Sequence, residues 1–196
     1  MRKKIVIVLL ITVAASLALP TPHTQKEEKY QEISILTKEV EDNAGSPSIQ
    51  EPIILVRTID GDTIKVKYQG KTEKIRYLLI DTPEMKRNGK CLHPYALEAF
   101  QRNDQLVKIG NLTMELEQGN FRDAYGRLLA YVYVDGKSVQ ETLLKEGYAR
   151  VAYVINPPYK FLAKYKDEER LAKSSKINIW SHPNYVTKWG FNGCVQ

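Results

Sequence analysis

Two short stretches near the middle of the chain alternate apolar and charged residues. The first is Thr63–Tyr68 and the second covers residues 74–80, which become continuously apolar toward their end; Gln69-Gly70 supplies a turn between them. Alternation with a period of two predicts half-buried β-strands, and the short turn predicts that the two strands form a hairpin. Acidic residues lie just before the first strand and just after the second.

The apolar pattern predicts three further strands. An apolar run at residues 53–59 predicts a strand that leads into the hairpin, residues 112–116 alternate, and residues 128–134 form an apolar run that ends at the Asp135-Gly136 turn. Together with the hairpin, these segments bring the number of predicted strands to five.

Apolar residues at helical spacing predict three helices. The first follows Pro94 and is expected to end with a left-handed cap at Gly110. The second begins at a Ser138-x-x-Glu141 capping box and stops at Gly147. In the third, a buried stripe is expected to include the following residues: Phe161, Leu162, Tyr165, Leu171 and Ala172.

This order of elements predicts an α+β fold. Three strands, then a helix, then two more strands are typical of a small closed antiparallel five-stranded β-barrel of the OB type with about three helices, rather than of a parallel α/β sheet. The 43% hydrophobic content is ordinary for one globular domain. We expect this domain to cover residues 52–182, followed by a C-terminal tail at 183–196.

The N-terminus has the pattern of a signal peptide. A basic start is followed by an apolar run from Ile5 to Leu19, which is short for a spanning helix. We expect residues 1–18 to be removed on secretion and residues 19–51, which are rich in polar residues, to be a flexible linker or pro-segment. An uncleaved anchor is the alternative, and only this segment would contact a membrane.

The charge and the cysteines agree with an exported chain without proving it. The formal charge of +6 falls to +3 in the mature protein, because Arg2, Lys3 and Lys4 belong to the signal segment. This mild excess is compatible with a polyanionic substrate. The two cysteines, Cys91 and Cys194, could form one disulfide in an oxidising compartment or could remain unpaired thiols.

The acidic residues at the ends of the hairpin predict a metal site. In a hairpin, the start of the first strand and the end of the second lie side by side, so Asp62 and Asp81 should meet. Two adjacent carboxylates repel each other unless a cation or a proton lies between them. Oxygen ligands without His or Cys favour a hard cation such as calcium or magnesium.

Three residues near these carboxylates suit phosphodiester hydrolysis. Arg76 and Arg127 could neutralise the charge that develops on the phosphorus-bound oxygens. Glu84 lies just beyond a turn stiffened by Pro83, where its carboxylate could take a proton from water as a general base. Neither His93 nor His182 is expected in the site.

Several motifs together resemble the staphylococcal nuclease, or thermonuclease, family. The resemblance spans roughly residues 52–181 and rests on four motifs: Asp60-Gly61-Asp62-Thr63, Arg76, Asp81-Thr82-Pro83-Glu84 and Asp123-Ala-Tyr-Gly-Arg127. Each motif alone is weak, but their joint occurrence at matching spacing is specific.

The resemblance implies an OB-fold nuclease that uses calcium to hydrolyse DNA and RNA and leaves 3'-phosphates. We also expect the protein to be a monomer. By correspondence with family motifs, Asp62, Asp81 and the Thr82 carbonyl would bind calcium. Arg76, Glu84 and Arg127 would be catalytic, and Tyr125 and Tyr153 would contact the nucleotide.

Two positions depart from the family pattern. Ala124 stands where a relative may carry lysine, and Ile155 stands where a relative carries a second tyrosine. Neither position belongs to the metal or catalytic set, so we expect weaker substrate binding with unchanged chemistry. The alternative functions are a non-catalytic OB module that binds single-stranded nucleic acid, and a phosphodiesterase for small nucleotides.

Overall fold

The computed structural model describes residues 49–85, 92–117, 119, 121–155 and 157–195. The predicted signal peptide, most of the predicted linker and Cys91 lie outside these residues. In the part of the chain that is described, no helix is both long and apolar enough to cross a bilayer.

A closed five-stranded barrel forms the centre of the domain and confirms the predicted OB-type α+β fold. The strands of the described chain, in order, are β1 Glu51–Asp60, β2 Thr63–Tyr68, β3 Lys71–Tyr77, β4 Ile80–Asp81, β5 Leu112–Leu116, β6 Leu128–Val134, β7 Lys137–Ser138, β8 Arg150–Val151, β9 Val186–Thr187 and β10 Gly190–Phe191. Strand β1 pairs with β2 and β5, β2 with β3, and β5 with β6, all antiparallel. The barrel is closed by a parallel pairing of β3 with β6, which the prediction of a wholly antiparallel barrel did not include.

Three α-helices of the described chain pack around the barrel: α1 Ala96–Lys108, α2 Val139–Lys145 and α3 Leu162–Ser174. The Ser138 hydroxyl caps α2 by accepting a hydrogen bond from the backbone N–H of Glu141 at 3.2 Å, as the capping box predicts. Leu143 and Leu144 of α2 are fully buried in the core. The prediction for α3 was wrong at Leu171, whose side chain is 53% exposed.

The ends of α1 differ from the prediction. The residue with a left-handed backbone is Tyr95, at the N-terminal end, with φ 64°. Gly110 does not have a positive φ; a Cβ on it would lie only 1.9 Å from Asp135 Oδ2. Gly110 is therefore needed because the Asp135 carboxylate approaches the backbone, where it accepts a hydrogen bond from the Asn111 N–H at 3.0 Å.

The hairpin that starts the site ends earlier than its apolar pattern suggests. Thr63 pairs with Arg76, and β3 stops at Tyr77. The chain then turns at Leu79, which has φ 66°, before β4 pairs with β8. Leu78 and Leu79 are apolar because this turn is buried, with 6% and 1% exposure, and not because the strand continues.

The C-terminal tail includes a small hairpin that packs on the domain. Strands β9 and β10 pair with each other, and the Val195 N–H donates to the Leu92 carbonyl at 2.8 Å. The Phe191 ring lies 6.1 Å from His93 and 5.6 Å from Tyr185. Cys194 is disulfide-bonded.

Candidate active site

Asp62 and Asp81 are buried at one end of the barrel and are joined by Arg76. Arg76 Nε lies 3.2 Å from Asp62 Oδ1, and its Nη2 lies 3.3 Å from Asp81 Oδ1. The exposed fractions of Asp62 and Asp81 are 3% and 5%. The two carboxylates therefore come together as predicted, although the turn at Leu79 and strand β4 bring Asp81 there instead of the hairpin register.

Two backbone carbonyls fix the orientation of the Arg76 guanidinium. Its Nη1 donates to Tyr77 O at 2.9 Å and to Ile80 O at 2.7 Å. Burial alone would lower the pKa of Arg76, but the carboxylates of Asp62 and Asp81 raise it, so the side chain stays charged. Arg76 is thus a rigid buried cation between two anions.

Arg150 is a second buried cation in this cluster, and the sequence analysis gave it no role. Its Nε lies 3.0 Å from Asp81 Oδ2 and its Nη2 lies 2.8 Å from the same oxygen. Strand β8 positions Arg150 directly opposite Asp81 in the β4–β8 pairing. Arg150 lies within residues 52–181, over which the family resemblance extends, but sequence spacing does not show that it faces Asp81.

Burial and charge act against each other at Asp81. Burial raises the pKa of Asp81 and the negative charge of Asp62 raises it further, whereas Arg76 and Arg150 lower it. Counted formally, Asp60, Asp62 and Asp81 bring three negative charges against the two positive charges of the arginines. The cluster thus has a net negative charge when all its groups are ionised.

Thr82 holds the Asp62 carboxylate from the other side. The Thr82 backbone N–H and its hydroxyl both donate to Asp62 Oδ2 at 3.0 Å, and the Thr63 hydroxyl donates to Oδ1 at 3.0 Å. A side chain at Gly61 would collide with this arrangement, because a Cβ there would lie 2.5 Å from Thr82 Oγ1. The close approach explains the glycine in the Asp60-Gly61-Asp62 motif.

Glu84 is exposed and follows this buried cluster by two residues. Its backbone is held by His93: the Glu84 N–H donates to His93 Nδ1 at 3.1 Å, and the His93 N–H donates to the Glu84 carbonyl at 3.1 Å. Burial lowers the pKa of His93, which favours the neutral ring that accepts this hydrogen bond. His93 therefore positions the segment that carries Glu84, a role that the sequence analysis did not assign.

Asp123 organises the loop that carries Arg127. Its Oδ1 accepts hydrogen bonds from the backbone N–H groups of Tyr125 and Arg127, each at 2.9 Å, and its Oδ2 accepts from Arg127 Nε at 2.6 Å. The Arg127 guanidinium lies 5.6 Å from the centre of the Tyr125 ring. Burial alone would raise the pKa of Asp123, but the hydrogen bonds from Arg127 lower it.

Arg76 and Arg127 line the same pocket, which has a volume of ≈ 360 Å³. Tyr125 and Tyr153 also line it, and the Arg76 guanidinium lies 5.3 Å from the centre of the Tyr153 ring. The other lining residues are Tyr77, Leu78, Leu79, Asp123, Ala124, Leu129, Ile155 and Tyr159. The two positions that depart from the family pattern, Ala124 and Ile155, thus face this pocket.

The donors around Asp62 and Asp81 fit a hard divalent cation. Within the described residues no group of three or more His, Cys, Asp or Glu side chains is placed to hold a metal, so two carboxylates are the main protein ligands available. Calcium accepts backbone carbonyls and waters as its remaining ligands. The net negative charge of the buried cluster also favours a cation, although this cation would have to share Asp62 with Arg76, and Asp81 with both Arg76 and Arg150.

Some of the residues predicted for the site are in direct contact in the structure, and others are connected only through the pocket or the backbone. Asp62, Arg76, Asp81 and Thr82 are in direct contact, while Arg127, Tyr125 and Tyr153 share the pocket with Arg76. Glu84 is connected through the backbone two residues after Thr82. Their roles stay predictions, because geometry alone does not test them.

The closed OB-type barrel carries two arginines on one pocket beside paired acidic residues, and guanidinium groups are common ligands of phosphate in proteins. A profile described as "Staphylococcal nuclease homologue" matches residues 74–182, and the chain belongs to this family. Over 163 residues it is 54% identical to "Endonuclease YncB" of Bacillus subtilis (strain 168), covering 81% of this chain and 77% of that protein.

Two further relatives cover different shares of their own length. "SPbeta prophage-derived endonuclease YokF" of Bacillus subtilis (strain 168) is 58% identical over 144 residues, which are 74% of this chain but only 49% of YokF. The "Thermonuclease" of Staphylococcus hyicus is 31% identical over 180 residues, which are 92% of this chain and 99% of that protein. The family suggested by the sequence motifs is therefore confirmed.

Proposed function

We propose that this chain is a secreted, calcium-dependent nuclease that hydrolyses phosphodiester bonds of DNA and RNA and leaves 3'-phosphates. The observation that carries the proposal is the shared pocket of Arg76 and Arg127 beside the buried pair Asp62 and Asp81. The printed names of the relatives, endonuclease and thermonuclease, support the same activity.

Arg76 contributes a preorganised positive charge to the scissile phosphate. Its Nη1 donates to Tyr77 O and Ile80 O and its Nη2 donates to Asp81 Oδ1, and these hydrogen bonds fix the plane of the guanidinium. The pocket that Arg76 shares with Arg127 gives a phosphate oxygen access to this charge. Because the group is already fixed before the substrate binds, little reorganisation is needed when charge develops in the transition state.

Arg127 binds the phosphate from the opposite loop. Asp123 occupies its Nε, so the terminal nitrogens are the donors left for a phosphate and for the departing 5'-oxygen. The Arg127 side chain is 26% exposed, compared with 9% for Arg76. Its greater exposure allows the Arg127 guanidinium to move toward the departing 5'-oxygen as the bond to phosphorus breaks. Lysine cannot reproduce this bidentate geometry.

Glu84 takes the proton from the attacking water. The water oxygen forms a bond to phosphorus as the bond to the 5'-oxygen breaks, and the 5'-oxygen then takes up a proton, so the phosphate stays on the 3'-oxygen. Exposure of Glu84 lets water reach it, and the backbone contacts to His93 hold its segment in place. Calcium, held by Asp62, Asp81 and the Thr82 carbonyl, would add positive charge at the phosphate.

Digestion of single- and double-stranded DNA and RNA, with calcium, magnesium or a chelator, tests this proposal. We expect hydrolysis with calcium, none with the chelator, and 3'-phosphate ends on the products. Intact substrate under every condition would refute nuclease activity. Equal hydrolysis with and without the chelator would refute only the metal dependence.

A non-catalytic OB module that binds single-stranded nucleic acid is the second candidate. The exposure of Tyr125 and Tyr153, at 86% and 59%, favours it, because bases can stack on exposed rings. Such a module would not depend on Glu84. If the chain is an enzyme, Glu84→Gln should lower kcat by about 10²- to 10⁴-fold and leave oligonucleotide binding unchanged. Unchanged hydrolysis would remove Glu84 from the mechanism.

Secretion is proposed from the N-terminal pattern of residues 1–18. The disulfide at Cys194 supports it, because disulfides persist in oxidising compartments. Sequencing the N-terminus of protein recovered from culture medium tests this proposal. Retention of the first apolar run would show an uncleaved anchor instead.

A further inference from the structure

We propose that the tip of the C-terminal hairpin, Lys188 and Trp189, is a second binding site for single-stranded nucleic acid, outside the catalytic pocket. In this site a base of the substrate strand stacks on the Trp189 indole while Lys188 binds a neighbouring phosphate. The inference rests on the proposed function, since it extends the path of the same substrate.

Trp189 presents its ring to solvent. Its exposed fraction is 86%, the same as that of Tyr125 in the catalytic pocket, and Lys188 Nζ lies 4.8 Å from the centre of the indole. The two pairs are alike, because Arg127 lies 5.6 Å from the Tyr125 ring. A cation beside an exposed aromatic face suits a strand in which bases and phosphates alternate.

The hairpin holds this tip in a defined shape. Gly190 pairs with Thr187, so Lys188 and Trp189 are the two turn residues between β9 and β10. The Thr187 hydroxyl donates to the Gly190 carbonyl at 3.1 Å and accepts from the Trp189 N–H at 3.2 Å. Asn192 N–H closes the base of the hairpin by donating to the Tyr185 carbonyl at 2.8 Å. A backbone that is already ordered reduces the freedom lost when a base stacks on Trp189.

The tip is connected to the catalytic cluster by one side chain. Arg150 Nη1 donates to the Lys188 carbonyl at 3.4 Å, while its Nη2 binds Asp81 at 2.8 Å. Phe191 contacts the same guanidinium at 5.7 Å and also packs against His93, which holds the backbone of Glu84. A strand whose scissile phosphate lies at Arg76, which contacts Asp81, could therefore extend along Arg150 to the tip.

The charge of the C-terminal region complements a polyanion. Residues 170–196 contain Arg170, Lys173, Lys176 and Lys188 and no Asp or Glu. The remainder of the mature chain has an almost even balance of charges, so the basic excess is concentrated in this part of the sequence. Such a region attracts phosphates and repels acidic protein surfaces.

Trp189 provides its own reporter, because the chain has only two tryptophans. In a Trp180→Phe variant the emission comes from Trp189 alone. Titration with an oligothymidine of about twelve nucleotides, in chelator so that no cleavage occurs, should quench this emission in a saturable and salt-dependent way. Lys188→Ala should remove one phosphate contact. The slope of log K for oligonucleotide binding against log salt concentration should therefore fall by about one.

Kinetics separate this site from the catalytic pocket. Trp189→Ala should raise KM for the twelve-nucleotide oligothymidine about tenfold and leave kcat unchanged. Stacking of one base on an aromatic ring contributes about a factor of ten to affinity. KM for a phosphodiester of a single nucleoside, which has no second base to stack on Trp189, should not change. Ile109→Ala, which truncates a side chain that is 74% exposed at the end of α1, is the matched control and should change neither KM. Equal unfolding midpoints would show that the variants remain folded.

The outcomes distinguish the two proposals. If the wild-type protein cleaves the oligonucleotide but Trp189→Ala leaves its KM within twofold and Trp189 emission is not quenched, the second site is refuted and the nuclease stands. If the wild-type protein does not cleave but the emission is quenched, the second site stands and the catalytic proposal fails. Failure of both cleavage and quenching refutes both.

Discussion

Replacing Arg150 with alanine tests whether the buried charges of the site are balanced as the structure indicates. Arg150 is 8% exposed, and its two contacts to Asp81 Oδ2 are 3.0 and 2.8 Å long. Removing one partner of a buried ion pair costs about 3 to 5 kcal/mol, because the other charge stays buried. Since Asp81 keeps its contact to Arg76, we expect a loss near the lower end, about 3 kcal/mol.

Urea denaturation at neutral pH measures this loss, and a thermal scan should show Tm lowered by about 6 to 12 °C for a domain of this size. The matched control is Arg102→Ala. Arg102 forms a shorter ion pair with Glu146, at 2.6 Å, but both side chains are about one-third exposed. Exposed pairs contribute roughly 1 kcal/mol or less, so the control should lose much less stability.

The pH dependence gives a second criterion. The pKa of Asp81 is already raised, first by burial and then by Asp62, and Arg150 is one of the groups that lower it. In Arg150→Ala this pKa should rise further above its unfolded value, so the folded state binds more protons and the variant loses stability as pH rises through the folded pKa. The deficit should therefore be larger at pH 8 than near the unfolded pKa of Asp81. A deficit equal to that of Arg102→Ala, independent of pH, would refute the proposed charge balance.

Four further predictions concern the site. Glu84→Gln should lower kcat by about 10²- to 10⁴-fold in a DNA hydrolysis assay, because the general base is lost. Arg127→Lys should lower kcat by roughly 10²-fold or more, since lysine lacks the bidentate guanidinium. A kcat like that of the wild type would show that Arg127 is not catalytic. Ala124→Lys should lower KM for DNA by placing a cation in the pocket; unchanged KM contradicts this. NMR titration of His93 should give a pKa below its usual 6.5, with Nδ1 unprotonated.

The barrel was predictable because its strands carry a local signal. Ile64 and Val66 alternate with exposed or half-buried lysines on β2, and both are fully buried. The capping box at Ser138 likewise acts within four residues. Features that depend on distant contacts were not predictable: Leu79 adopts a turn inside an apolar run, and Gly110 is required by Asp135, which lies 25 positions later.

The residues of the candidate site also differ in whether a local sequence signal could predict them. Sequence motifs identified Asp62, Arg76 and Asp81 because these residues lie within one hairpin and the turn after it. Arg150 was missed because it lies 69 positions after Asp81, on a strand of only two residues that has no periodic pattern to predict it. Local chemistry thus suggested an acidic pair in need of a cation, whereas the tertiary structure supplies two arginines that already balance most of that charge.

This balance changes what a metal would have to do at the site. Without Arg150, Asp81 Oδ2 would lose both of its contacts to an arginine, and a metal could then be required to neutralise this buried carboxylate. With Arg76 and Arg150 in place, the cluster has a small negative excess, so the proposed calcium ion would reverse the sign of the site rather than merely neutralise it. A positive site is what a phosphodiester anion requires. We therefore expect the barrel to be stable without the proposed metal, whose charge would instead control substrate binding.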